Sequence, residues 1–289
     1  MHRFIPSFLA ITLFSIVADI AVAQSSGSNW QRQAPATELD LELFRALQVA
    51  NLPTAETLQK GDLEFEISHR FAPALSEGSD YLWGLDGPVQ MRLGLGYAFS
   101  NRLVVTLARS NADDNIDLSF RYKTLQFHSS TLPLLVGIHG GAAWNTEVYV
   151  VGRDKGDSRN FQFYGQLIVN TLINRRLGLG IVPSVVSNSD IYAPSSEHTV
   201  TLGTYAEYYI SPLLAVLAEW SPVIDGYKKD YNAASFGIEL NTGGHFFKII
   251  LTNALYLNPS QYLSGSEFQF KSKEWRLGFN ITRLLKLKS

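Results

Sequence analysis

From Gly61 almost to the end of the chain, every second residue is apolar, and this alternation limits the fold more than any other feature. Leu63, Phe65 and Ile67 alternate with Asp62, Glu64, Glu66, Ser68 and Arg70. Val89, Met91, Leu93, Leu95, Tyr97 and Phe99 then alternate with Gln90, Arg92, Gly94, Gly96 and Ala98. Successive side chains of a strand point to opposite faces, so each segment has one apolar face and one small or charged face. A helix cannot keep such a set on one side, because its period is 3.6.

The pattern predicts about twelve strands of about ten residues each. They fall at 61–71, 88–99, 102–110, 115–125, 132–145, 160–170, 176–186, 198–210, 213–223, 232–241, 245–255 and 273–285. Connections after the even-numbered strands are short: Ser100-Asn101, 126–131, 171–175, Ser211-Pro212 and 242–244. Those after the odd-numbered strands are long, at 72–87, 147–159, 187–197, 224–231 and 256–272, with 111–114 the brief exception. Short turns at one end, long loops at the other and an even strand count are the plan of a transmembrane antiparallel up-and-down β-barrel. The expected fold class is therefore all-β, a barrel of about 12 strands over residues 61–289 in the cell outer membrane.

The faces follow from that plan. In a membrane barrel the apolar side meets lipid and the charges point into the lumen. The apolar side carries aromatics at its ends, among them Tyr97, Phe99, Tyr122, Tyr208, Trp220 and Trp275, as interfacial girdles do. The inward parity holds Glu64, Glu66, Arg70, Arg92, Asp117, Arg121, Lys123, Glu207, Glu219, Glu239, Lys248 and Arg276. Most of the basic members fall on strands that become contiguous when the barrel closes, and Glu207, Glu219 and Glu239 lie on the other wall. Two accounts of this set stand side by side: charges that satisfy one another, as buried charges must, or a two-sided field that orients polar solutes in a pore.

The N-terminal residues differ. MHRFIPSFLAITLFSIVADIAVAQ has a basic residue, an apolar run and a small-residue site, so residues 1–23 read as a cleaved signal peptide. Pro6 and Asp19 leave too short a core to span a bilayer, which needs roughly twenty residues. Residues 24–60 read as an N-terminal lead-in. Leu39, Leu43, Phe44 and Leu47 share one helical face ahead of Pro53, which points to a short amphipathic helix at the barrel mouth, with a plug inside the lumen as the alternative.

Chemistry is poorly represented. The chain has no cysteine, so thiolate nucleophiles and disulfides are excluded, and a net charge of −2 lacks the basic footprint of a nucleic-acid binder. The six His show no zinc-ligand spacing. Gly94-Leu95-Gly96 and Gly178-Leu179-Gly180 lack the third glycine and the helix of a dinucleotide loop, and read instead as small lumen-facing residues. Ser68 and His69 are adjacent on a strand and face opposite ways, so they form no nucleophile–base pair. No catalytic residue, metal site or cofactor is expected, and the chain is read as a non-enzyme. A hydrolase using His139 or His69 with a serine from another strand is kept as an alternative.

The stretch LPTAETLQKGDLEFEISHRF, with GLDG and RLGLGYAFSNRLVVTLARS after it, resembles a family of bacterial outer-membrane β-barrel proteins known only as a domain of unknown function. The resemblance covers nearly the whole mature chain and is most specific over residues 52–110. It implies an outer-membrane barrel and carries no functional residues with it. One departure from common outer-membrane barrels is the ending ITRLLKLKS, which has no terminal Phe or Trp; Phe279 is the nearest outward aromatic.

The expected role is a narrow channel or transport-related porin for small polar solutes, with outer-membrane lipid around it. The alternatives are an enzyme acting on lipid or lipopolysaccharide, and a structural or adhesive barrel whose extracellular loops bind a partner.

Overall fold

In the computed structural model the described residues are 40–287, so the expected signal peptide and the first part of the lead-in lie outside them. From Leu41 onward the chain forms one unit. Its strands are β1 (Leu63–Phe71), β2 (Val89–Ser100), β3 (Leu103–Ser110), β4 (Asn115–Phe127), β5 (Leu134–Asn145), β6 (Phe161–Ile173) and β7 (Leu177–Ser187). They continue with β8 (His198–Tyr209), β9 (Leu214–Ser221), β10 (Val223–Gly226), β11 (Ala233–Asn241), β12 (His245–Thr252) and β13 (Arg276–Leu285). Every pairing is antiparallel. The order runs β8 back to β1, then β13, β12, β11 and β9, and β9 pairs with β8 to close twelve strands into a barrel. Closure leaves those twelve strands no unpaired edge, which a bilayer would not tolerate.

The thirteenth strand comes from a proline. The expected ninth strand is split at Pro222 into β9 and β10, which both pair with β8. Pro222 has no N–H for the ladder but keeps its carbonyl, which accepts from the Leu202 N–H at 3.0 Å. The register shifts once more between Val223 and Asp225, as at a bulge.

The faces separate as the alternation requires. Leu95, Leu107, Leu118, Phe163, Ile181, Trp220 and Ile249 are all at least half exposed on the outer wall, the surface that meets lipid. Two segments depart from the expected outline. Residues 41–58 contain no helix; they bend back on themselves through a bridge between Gln48 and Pro53 and are mostly buried. β12 stops at Thr252 rather than 255, and the chain then folds inward. There Asn253 accepts from the Ala234 N–H at 2.8 Å and donates to the Asn232 and Phe268 carbonyls at 2.9 and 2.6 Å. That loop carries a single helical turn, Pro259–Tyr262, whose four residues are all buried.

Candidate functional site

The lumen is filled from both ends. Residues 41–58 rise between the strands from the side of the short turns, and residues 253–266 descend from the side of the long loops. Val49, Ala50 and Leu52 of the first segment share one apolar cluster with Tyr262 and Leu263 of the second. Leu135, Ile168, Val182, Tyr205, Leu217 and Ile250 of the wall complete that cluster. Residues 41–58 thus occupy the lumen as a plug, and Leu43, Phe44 and Leu47, three of the four side chains that suggested a helix face, pack into the apolar clusters around it.

The wall charges hold the plug by its backbone. Glu219 accepts the N–H groups of three successive residues, Ala50 at 2.5 Å, Asn51 at 2.9 Å and Leu52 at 2.9 Å. The basic side binds the carbonyls. Arg121 donates to Leu47 O at 2.5 Å, and Lys248 to Gln48 O and, at 2.7 Å, to Val49 O. Asn280 donates to Ala50 O at 2.8 Å, and Arg70 bonds the side chains of Asn51 and Asn280 at 2.8 and 2.7 Å. Peptide dipoles in a tight bend thus lie across the lumen, donors toward the acidic wall and acceptors toward the basic wall. Charge-assisted bonds of this kind are stronger than neutral ones.

The remaining members of the inward set fall into separate groups. Glu66 pairs with Arg92 and accepts from Gln48 of the plug at 2.7 Å. Lys123 stands 3.6 Å from Glu56, a plug carboxylate that also accepts the N–H groups of Leu43 and Phe44. Lys248 lies 3.1 Å from Glu239, its register partner on β11, so the acidic and basic walls meet at that seam. Asp117 accepts from the Tyr164 hydroxyl at 3.0 Å, and Glu207 from the Tyr209 hydroxyl at 3.3 Å. Glu64 lines a small cavity of about 30 Å3 with Arg121, Gln48 and Leu257, where plug and descending loop meet. Arg276 is not drawn into the lumen network. It sits at the loop end, over the Phe268 ring at 3.3 Å and bonded to Ala72 O at 2.8 Å.

Sequence reasoning did not anticipate the plug-side partners Glu56, Gln48 and Asn51, or Asn258 of the descending loop, which accepts from Arg92 at 2.8 Å. The one available signal for that loop was its composition: 253–263 reads NALYLNPSQYL, apolar for an extracellular connection.

Two glycines show how closely the plug fits. A Cβ on Gly178 would stand 2.7 Å from the Phe44 ring, and one on Gly203 would stand 2.8 Å from the Leu52 side chain. Gly203→Leu is expected to unseat the plug tip, because overpacking a tight site costs roughly 1–3 kcal/mol and the plug is the partner freest to move. Faster tryptic cleavage at Arg45 in the folded barrel would show it, and unchanged cleavage would place the give in the wall.

The histidines offer little for catalysis. His139 is turned inward and bonded through Nδ1 to Gln166 at 2.8 Å, and Gln166 in turn donates to Ser184 at 3.1 Å, so an amide separates this imidazole from that serine. His69 faces outward and stacks on Phe279 at 4.5 Å, while Ser68 points inward to Glu66. Among the described residues no group of three His, Asp or Glu is placed to hold a metal ion.

An antiparallel barrel with an apolar outer belt and a charged, occluded interior defines an outer-membrane β-barrel protein. The chain belongs to the membrane-bound β-barrel domain family, DUF5777, whose profile matches residues 44–285. Among solved structures, the COG4313 outer-membrane channel from Pseudomonas putida F1 is similar at 12% identity and a TM-score of 0.48, over 80% of this chain and 98% of that one. The NanC porin aligns at 9% identity and a TM-score of 0.45, over 78% of this chain and 100% of that one. The KdgM porin aligns at 8% identity and a TM-score of 0.43, over 78% and 99% respectively. Among curated proteins no sequence matches this chain.

Proposed function

We propose that this barrel is a gated channel for small polar solutes, closed by residues 41–58 and opened when they withdraw from the lumen. The observation that carries this reading is the manner of attachment. Glu219, Arg121, Lys248 and Arg70 bind backbone atoms and Asn51 of the plug, and each bond can be exchanged for one to water or to a polar solute. A plug whose only role was to fill the barrel would need no charged seat, since an apolar core of similar volume is often as stable.

The absence of native cysteine allows a clean test. A Cβ on Gly137 would lie 3.1 Å from the Ala55 Cβ, within a few tenths of an ångström of the range that disulfides span. The Ala55→Cys/Gly137→Cys protein is expected to be silent in planar bilayers when oxidised and to show channel openings once reduced. Openings that persist in the oxidised protein would remove the plug as gate. A reduced protein and a native chain that both stay silent would remove the channel.

A further inference from the structure

A second cavity, of about 110 Å3, lies among the loops on the extracellular side, apart from the plug. Its wall combines Asp113 after β3, residues 189–192 after β7, Tyr227 and Lys229 after β10, and the descending loop at Tyr256, Gln261 and Glu267. Ser189 and Gln261 are 6% and 7% exposed, and Ser189 Oγ and Gln261 Oε1 have no hydrogen-bond partner. Buried polar atoms are nearly always satisfied, so two unpartnered oxygens on one cavity wall single it out as a candidate site.

Charge and aromatic rings identify the kind of molecule. Three carboxylates, Asp113, Asp190 and Glu267, face one ammonium, Lys229, which leaves the wall net negative. Two of these carboxylates are held by tyrosines: Asp113 accepts from the Tyr192 hydroxyl, and Glu267 from the Tyr256 hydroxyl at 2.8 Å. Asp190 accepts from the Tyr192 N–H at 3.0 Å. Each is thereby oriented and keeps a second oxygen. The Lys229 ammonium already shows how a cation sits here, 3.5 Å from the centre of the Tyr256 ring and donating to the Gln261 carbonyl at 3.3 Å. An ammonium against an aromatic face and opposite carboxylates is how organic cations are recognised.

We propose that this cavity binds a small organic amine, whose ammonium takes the place of Lys229 on the Tyr256 ring, with the carboxylates of Asp190 and Glu267 as its counter-charges. Lys229 is then a tethered occupant, a competitor that the ligand must displace. Burial pulls its ammonium down to about 8 in spite of Glu267, Asp113 and Asp190 nearby, so it is held less firmly as a cation than an exposed lysine. A bare metal ion fits poorly, because among the described residues no three acidic side chains converge on one point. Binding here does not require conduction, so it stands or falls separately from the gate.

The test is calorimetric titration of the full chain in detergent micelles with putrescine as the probe and glucose as a neutral polyol. Saturable one-site binding of putrescine and none of glucose is the expected result. Glu267→Gln and Asp190→Asn should each weaken it by about tenfold, the size of one lost counter-charge near the site. Lys229→Met should strengthen it several-fold by removing the competitor, and Tyr256→Leu should weaken it. The heat-dependent gel mobility of each variant checks that it has folded. Absence of saturable putrescine binding in both the native and Lys229→Met chains would overturn the proposal. So would glucose binding in its place, or weaker putrescine binding on losing Lys229.

Discussion

Glu219→Ala should release the plug. The native carboxylate, 6% exposed, accepts from three consecutive N–H groups at the tip of the bend, and alanine leaves all three without that acceptor. Hydrogen bonds to a charged group contribute about 1.5–3 kcal/mol each. Allowing for water entering the space, the seated state should lose on the order of 5 kcal/mol, roughly a thousandfold or more in its population relative to the withdrawn state. Arg45 should then become a tryptic site in the folded barrel, and the open probability in bilayers should rise to match. Glu219→Gln keeps one oxygen acceptor without the charge and should fall between the two. A Glu219→Ala protein with a protected, silent plug would mean that Val49 and Leu52 hold the tip through their apolar contacts, and that the acid is incidental.

Lys248→Met should be the most destabilising single change in the wall. The Lys248 and Glu239 side chains are 1% and 0% exposed, their charges are 3.1 Å apart, and the lysine also serves two plug carbonyls. Methionine keeps most of the volume but leaves Glu239 buried beside Glu207 with no counter-charge. Removing one member of a buried pair costs about 3–5 kcal/mol, whereas removing both charges is often close to neutral. The temperature at which the compact gel band converts to the unfolded one should therefore fall sharply in Lys248→Met, and Lys248→Met/Glu239→Gln should recover more than half of the loss. A double variant no better than the single one would show that the lysine acts through Gln48 and Val49 of the plug and not through Glu239. The two predictions separate seat from scaffold: Glu219 bears on the plug, and the Lys248–Glu239 pair bears on the plug and the β11–β12 seam together.

The local pattern sufficed for the barrel. Alternation is a property of residues two apart, and it places Leu95 outward and Arg92 inward wherever the strand ends up. Turn length is equally local, and with strand parity it set the twelve-strand plan and brought the inward charges onto one surface. It missed the break at Pro222, where a residue without an N–H interrupts the ladder while its carbonyl stays paired.

What fills the lumen was decided by tertiary structure alone. Leu43, Phe44 and Leu47 have helical spacing, and in water a helix is the cheapest way for such a segment to satisfy its backbone. Inside this barrel the wall offers other partners: Glu219 reaches Ala50 across 169 residues of sequence, Lys248 reaches Gln48 across 200 and Asn280 reaches Ala50 across 230. With donors and acceptors supplied from outside, the segment can stay extended and bent, and no periodicity within residues 41–58 records that. The same holds for residues 253–266, which read as a loop and are buried because Arg92, Gln162 and Thr201 of three distant strands bond to them. The sequence by itself determined the wall and which of its faces meets lipid, because those depend on neighbours in the chain. The closed interior depended on groups that only barrel closure brings together.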